Sequence, residues 1–253
     1  MMTNKINRNP SRTSTSSLIL LWITTMICMI IMIMPTTIMA AKKPLKCDQL
    51  TEFTNDVIVV TSKTRKFPTN TQELEVYCKK NQQLVTNIMA ISKQCFKEEM
   101  KNIISLVGYS YRQRVKLLCK NKNKNNQRAK ELLSAGGCLN RYRTKMGKCF
   151  DRTANRIGEI KSQPNNLKFP YLCCETGQIR KCIEKISSGD CKNEIQFYID
   201  GALSATNGFI DRTCGEYNDE TDKCDKLKPL IVKKETPNPS LIVNVAELIA
   251  TIQ

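Results

Sequence analysis

The chain has 253 residues, with 40 Lys plus Arg against 23 Asp plus Glu, a formal net charge of +17, 13 Cys and no His. The lack of His excludes Ser-His-Asp and Cys-His nucleophile systems and every zinc site that needs imidazole, because no other side chain supplies a neutral titratable nitrogen near neutral pH. A charged fraction of 25% and a hydrophobic fraction of 41% are typical of a chain that folds, and the length suits one domain or two small ones.

The first 40 residues have the organisation of a secretory signal peptide. Three basic residues precede an uncharged run over residues 18–34, and Pro35 and the small residue Ala40 follow it. This order predicts cleavage near Ala40 and a secreted, extracellular protein, with residues 1–40 removed. The alternative is a retained signal anchor, because an apolar run of 17 residues is at the lower limit of what spans a bilayer.

Cleavage after residue 40 would leave a net charge of +14 and an even number of cysteines, 12. An even number of Cys in an exported chain is typical of disulfides, and the C-x-x-C pairs of zinc sites do not occur. We predict that these cysteines form disulfides whose pairing is left open: Cys47, Cys78, Cys95, Cys119, Cys138, Cys149, Cys173, Cys174, Cys182, Cys191, Cys214 and Cys224. Cys173 and Cys174 should bond to different partners, because a ring between adjacent residues strains the peptide.

Hydrophobic residues recur at helical spacing along most of the chain. One helix is predicted over residues 47–60. A second begins at Thr69, which is expected to form a capping box with Gln72. A third is predicted over residues 96–119, with a bend near Gly108.

The Asn-rich and Lys-rich residues 120–126 predict a break after the third helix. The helix that resumes at Arg128 is expected to end at Gly136-Gly137, because glycine adopts a positive φ without strain. The chain should then be helical again over residues 138–160.

Two further helices are predicted in the remainder of the cysteine-rich region. Pro164 and Pro170 indicate a loop before a helix that begins near Tyr171. The last core helix is expected to open at Cys191 and to continue to Phe209.

These elements predict an all-α fold, a disulfide-stapled bundle of about five to seven helices over residues 41–227. Residues 228–253 are expected to form a flexible or weakly helical C-terminal tail. The run over residues 241–249 could dock as a small amphipathic helix, but a frayed end is favoured.

The cysteine spacing is similar to that of a known protein family. The distinctive features are the run Arg128-Ala-Lys-Glu-Leu-Leu-Ser-Ala-Gly-Gly-Cys138, the ten-residue gap to Cys149, and the block Cys174-x7-Cys182-x8-Cys191 followed by an amphipathic helix to Cys214. Over about residues 47–214 the chain resembles the arthropod hemolymph glycoproteins of the twenty-seven-kilodalton type. The resemblance implies a small, secreted, helical, cysteine-rich protein and brings no catalytic residues. Cys173, the tail after Cys224 and the lack of an Asn-x-Ser/Thr sequon depart from that pattern.

The positive charge is concentrated in residues 112–148, which carry twelve basic residues and one acid, a net +11. A basic ridge recurs at helical spacing within this region and just beyond it: Arg141, Lys145, Lys148 and Arg152. We predict an anion-binding surface made of this ridge together with Lys120, Lys122, Lys124 and Arg128. The alternative is a solvated surface in a chain whose composition favours Lys, at 28 Lys to 12 Arg.

No sequence motif indicates catalysis. The chain has no G-x-S-x-G, P-loop, H-E-x-x-H or EF-hand loop, so we expect no catalytic residue, no cofactor and no metal site. We predict a secreted, non-enzymatic protein of extracellular fluid that binds macromolecules, with an anionic glycan or membrane surface as its partner and no nucleic acid. The alternatives are a carrier of a lipid or other hydrophobic small molecule, and an enzyme without a recognisable motif.

Overall fold

Seven helices make up the regular structure of the residues that the structure, a computed structural model, describes: 45–119, 126–186, 189–205, 214–218, 221–233 and 235–252. They are α1 (Gln49–Val57), α2 (Thr71–Cys95), α3 (Glu98–Cys119), α4 (Gln127–Ile160), α5 (Asn165–Ile186), α6 (Lys192–Ala205) and α7 (Leu241–Ile249). No strand occurs among these residues. The prediction of an all-α, disulfide-stapled bundle is therefore confirmed. The predicted signal peptide lies outside the described residues, and none of the described helices is long and apolar enough to cross a membrane.

All twelve cysteines from Cys47 onward are paired. The bonds are Cys47–Cys95, Cys78–Cys119, Cys138–Cys191, Cys149–Cys182, Cys173–Cys214 and Cys174–Cys224. Their Cα–Cα separations of 5.4 to 5.9 Å are those of ordinary disulfides. The adjacent Cys173 and Cys174 have different partners, as expected.

The disulfides divide the bundle into two halves. Two bonds lie within residues 45–119, which we call the N-terminal half, and four lie within residues 126–252, the C-terminal half. No disulfide joins the halves. Their association therefore depends on packing and hydrogen bonds.

Helix α4 runs through Gly136 and Gly137, so the prediction of a helix end there was wrong. A Cβ atom at Gly136 would lie 2.1 Å from the carbonyl oxygen of Pro68, and one at Gly147 would lie 2.5 Å from that of Val60. These glycines are needed for close approach, not for a positive φ. They let the backbone of residues 58–68, a turn followed by an irregular segment, lie directly on the helix.

The side chains between these two glycines bind the same backbone. Asn140 accepts a hydrogen bond from the Phe67 amide and donates one to the Phe67 carbonyl, both at 2.8 Å. Arg143 donates to the carbonyls of Ser62 and Arg65 at 2.5 and 2.6 Å. Positions 136, 140, 143 and 147 share one face of the helix, and we call them the α4 stripe. The stripe gives hydrogen-bond partners to loop backbone that would otherwise be buried without them.

Two other helix starts differ from the sequence prediction. Asn70, not Thr69, caps α2, because its side chain accepts from the Glu73 amide at 2.9 Å while the Glu73 carboxylate accepts from the Thr69 amide at 2.8 Å. Helix α5 begins at Asn165 and contains Pro170, so its predicted start near Tyr171 was late. Pro170 is the sixth residue of α5, so the helix continues through it without the amide that would bond to the carbonyl of Asn166.

Helices α3 and α6 lie where the sequence predicts them over the described residues, and the bend expected near Gly108 stays a prediction. Helix α3 continues through Gly108, whose nearest neighbour is the Met89 side chain of α2. Helix α6 ends at Ala205, and its predicted continuation to Phe209 lies outside the described residues.

The C-terminal segment forms helix α7 and packs into the core, where a frayed end was favoured from the sequence. Ala246, at 2% exposure, lies in a hydrophobic cluster with α1, α2 and α3, whereas Leu248, at 0%, lies in one with α4 and α5. Helix α7 therefore connects the N-terminal half to the remaining helices of the C-terminal half. Nine residues are too few for a stable isolated helix, so burial decides that this segment is ordered.

Polar contacts hold α7 at three points. Ser240 caps the helix and its hydroxyl lies 2.7 Å from that of Thr54 in α1. Asn244 donates to the carbonyl of Ala154 in α4 at 2.8 Å, and Lys161 pairs with Glu247. These contacts join α7 to α1 and α4, and the first of them satisfies the buried hydroxyls of Ser240 and Thr54.

Replacing Gly136 by Ala should lower the free energy of unfolding by about 1–3 kcal/mol or more, because the added methyl meets the Pro68 backbone and forces the segment off α4. Gly137→Ala is the matched control. No atom lies within 4 Å of its Cβ position, so Ala should stabilise the helix by about 0.5–1 kcal/mol. Denaturant unfolding of the oxidised proteins measures both changes. Equal effects at the two positions would contradict the close-approach role.

Reduction of the six disulfides should lower the free energy of unfolding by several kcal/mol. A single bond contributes about 2–4 kcal/mol, and the total is less than the sum because the closed loops overlap in sequence. Circular dichroism and denaturant unfolding with and without reductant measure the loss. Peptide mapping of the oxidised protein should recover the six pairs given above. An unchanged unfolding curve in reductant, or a bond that joins the two halves, would contradict this arrangement.

Candidate anion-binding surface

The predicted basic ridge is a surface feature of α4. Arg141, Lys145, Lys148 and Arg152 are all exposed, and they lie at i, i+4, i+7 and i+11 of one continuous helix. At 1.5 Å per residue the ridge is about 16 Å long. Helix α4 is held in place by its buried face, where Leu139, Met146 and Ile157 are fully enclosed. The four cations therefore stand on a rigid support.

The charges of the ridge are only partly neutralised. Arg141 pairs with Asp190 at 2.6 Å, next to the Cys138–Cys191 bond that brings residue 190 to α4. Lys145 lies over the Tyr142 ring, 5.7 Å from its centroid. Within the described part of the chain, no carboxylate is within 4.0 Å of the charged atoms of Lys145, Lys148 or Arg152. These three cations can bind an external anion without first breaking an ion pair.

Of the other four residues of the predicted surface, the structure describes one. Arg128 is exposed at the start of α4. Lys120, Lys122 and Lys124 lie outside the described residues. The structure therefore places five of the eight predicted positions at the surface.

Several cations of residues 112–148 have a structural role that the sequence analysis missed. Arg143 belongs to the α4 stripe, and Arg114 donates to the carbonyl of Gly201 in α6 at 2.5 Å. Arg112 is half-buried against Met89, with 3.0 Å between its Nη2 atom and the sulfur. The net charge of this stretch thus overstates the charge available to a ligand. The helical spacing of Gly136, Asn140, Arg143 and Gly147 was the signal that could have distinguished Arg143 from the ridge.

A polar cavity of about 250 Å³ lies between the C-terminal part of α4, residue 236 and α7. Its lining consists of Asn155, Gly158, Glu159, Lys161, Thr236 and Asn244. The polar groups are used within the protein, since Asn155 accepts from the Thr236 amide and Glu159 accepts from the Lys233 amide. This cavity does not suit an apolar ligand and does not support the carrier alternative, which stays a prediction.

Three tyrosines with raised pKa values, Tyr77, Tyr111 and Tyr198, lie together in the interior. Burial raises the pKa of all three phenols, and the positive charge of Arg65 opposes this rise at Tyr77 and Tyr111. The Arg65 guanidinium lies 5.0 Å from the centroid of the Tyr77 ring, and the Tyr111 hydroxyl donates to Asn81 at 2.7 Å. We call these residues the tyrosine cluster. Asn81 is fully buried, so the hydrogen bond from Tyr111 satisfies a polar side chain inside the protein.

Among the described residues, no group of three His, Cys, Asp or Glu side chains is arranged to hold a metal ion. No protein-family model, curated protein or solved structure matches the chain. The resemblance to the hemolymph glycoproteins therefore stays a prediction that rests on the cysteine spacing.

The tyrosine cluster should make stability fall at high pH. A phenol whose pKa is higher in the folded than in the unfolded chain stabilises the fold fully below the unfolded value of about 10, and this contribution is lost as pH rises above it. Tyr111→Phe should lower stability by about 1 kcal/mol at neutral pH, because Asn81 loses its donor, and should make the decline above about pH 10 less steep. The exposed Tyr109→Phe is the control. Denaturant unfolding across this pH range gives both slopes, and identical slopes for wild type and Tyr111→Phe would contradict the shift.

Proposed function

We propose that this is a secreted, non-enzymatic protein that binds a sulfated, polyanionic glycan through the basic ridge of α4. The observation that carries the proposal is the row of exposed cations at 145, 148 and 152, for which no described carboxylate is a partner. A linear polyanion can contact such a row at several points at once. Each contact releases counterions, which favours binding at low and moderate salt.

Secretion is supported by the cysteines and by the N-terminal sequence. Six disulfides are typical of an extracellular protein, because thiols are kept reduced in the cytosol. The basic, apolar and small-residue segments of residues 1–40 supply an export signal. We include membership of the hemolymph glycoprotein family in the proposal, on the cysteine spacing described above.

The test is binding of heparin oligosaccharides to the secreted protein over a range of salt concentrations. Reversing Lys145, Lys148 and Arg152 to Glu should lower the slope of log Kd against log salt concentration by about 2–3, because each lost contact on a polyanion removes roughly 0.7–0.9 of a released counterion. The substituted side chains are exposed, so the fold should be retained.

The matched control reverses three exposed lysines on α2: Lys79, Lys80 and Lys93. This variant has the same net charge as the ridge variant but keeps the ridge. Its salt slope should equal that of the wild type. Equal losses in the two variants would show that net charge alone attracts heparin, and the assignment of the ridge would be wrong.

A further inference from the structure

The solvent-facing side of α3 carries large apolar side chains. Leu106 is 61% exposed, Tyr109 58% and Leu117 55%. Together with Gln113 they lie at i, i+3, i+7 and i+11, so they form one row along the helix, which we call the α3 outer row. At 1.5 Å per residue it is about 16 Å long. Val107, at 51% exposure, lies beside it.

Packing within the protein does not explain this row. The opposite side of α3 supplies the core contacts, where Met100 and Ile104 join the cluster with α1, α2 and α7 and Val115 is 5% exposed. The helix is therefore apolar on two sides, and the described residues cover only one of them. Isolated apolar side chains are common at surfaces, but three large ones in one row, with Val107 beside them, indicate a contact with another apolar phase or surface.

The charged residues of α3 from residue 100 onward, and those of the chain up to residue 130, all have one sign. Residues 100–130 contain no Asp or Glu. Lys116 is exposed one residue before Leu117, and Arg128 and Lys130 are exposed in the first turn of α4. The residues that neighbour the row in sequence therefore supply cations and no carboxylate.

Asn126 fixes the first turn of α4, which carries two of these cations, at the end of α3. Its side-chain amide donates to the carbonyls of Leu117 and Leu118, at 3.2 and 2.7 Å, and its side-chain oxygen accepts from the Ala129 amide at 3.3 Å. One residue therefore joins the end of α3 to the start of α4. Burial, and then the charge of Arg128, lower the pKa of Arg114, which is consistent with cations that lie close together here.

We infer that the α3 outer row is a docking surface for an anionic lipid bilayer. Leu106, Tyr109 and Leu117 enter the boundary between headgroups and acyl chains, and Lys116, Arg128 and Lys130 contact the anionic headgroups. A phenol suits this depth, because its ring is apolar and its hydroxyl remains hydrated. A second copy of the chain is a poorer occupant, since it would bring an acid-free, cationic stretch against itself. This surface uses side chains other than those of the basic ridge and does not rest on glycan binding.

The test is co-sedimentation of the secreted protein with vesicles of phosphatidylcholine, with and without phosphatidylserine. Wild type should partition onto the phosphatidylserine vesicles and not onto pure phosphatidylcholine. Leu106→Asp combined with Leu117→Asp should lower the partition coefficient by about tenfold or more, because it removes two inserted side chains and adds two repelled charges. Both positions are exposed, and an unchanged circular dichroism spectrum verifies the fold.

The matched control is Val76→Asp combined with Ile231→Asp. These side chains are apolar and 68% and 79% exposed, but they lie outside the α3 outer row. The control changes the net charge equally and should partition like the wild type. Equal losses in the two double variants, or no partition of the wild type, would overturn the inference.

Two further measurements separate this surface from its alternatives. The α3 variant should keep the heparin affinity and salt slope of the wild type, whereas the ridge variant should keep most of its lipid partition. Lipid binding that is lost only in the ridge variant would overturn the assignment to α3. A wild-type dimer that becomes monomeric in the α3 variant, measured by light scattering, would show that a second copy covers the row and would likewise overturn it.

Discussion

The structure depends on the close approach between residues 58–68 and the α4 stripe. The N-terminal and C-terminal halves each contain their own disulfides, and none joins them. The two glycines of the stripe bring helix and loop backbones together, while Asn140 and Arg143 satisfy the loop carbonyls. Phe67 can then pack edge to face on Tyr198 of α6, with 5.5 Å between the ring centroids. Shape and hydrogen bonding at this face of α4 therefore determine how the stapled halves associate, together with the packing of α7 on α1, α2 and α3.

This contact also decides which cations of α4 are available to a ligand. Arg143 faces the loop and has two carbonyl acceptors, whereas Lys145 and Lys148, only a few residues further on, face solvent. Successive residues of a helix are about 100° apart, so neighbours in sequence point to different surroundings. A charged stretch that looks uniform in sequence is thus divided into structural cations and exposed cations. The same division separates Arg114, bound to the Gly201 carbonyl, from the exposed Lys116.

The two proposed surfaces differ in the physical interaction that each would use. The ridge of α4 is a row of charges on a polar surface, which suits a hydrated polyanion. The α3 outer row combines apolar side chains with cations, which suits the interface of an anionic bilayer. The N-terminus of α4 contributes Arg128 and Lys130 to the second surface because Asn126 ties it to the end of α3. One helix thus contributes cations to both surfaces.

The sequence by itself determined the helical class, the use of all twelve cysteines and the positions of the exposed ridge. Helical periodicity and an even cysteine number are local or countable properties, and they do not depend on which helix packs against which. The disulfide pairing, the course of α4 through Gly136-Gly137 and the order of α7 were decided only by the tertiary structure. Glycine ends a helix in isolation, but at residue 136 a neighbouring backbone needs the space that a Cβ would occupy. A nine-residue helix frays alone, but Ala246 and Leu248 gain burial in two clusters that long-range contacts create. The α3 outer row was missed for the same reason, because its periodicity resembles that of a core face until the packing shows which side is covered.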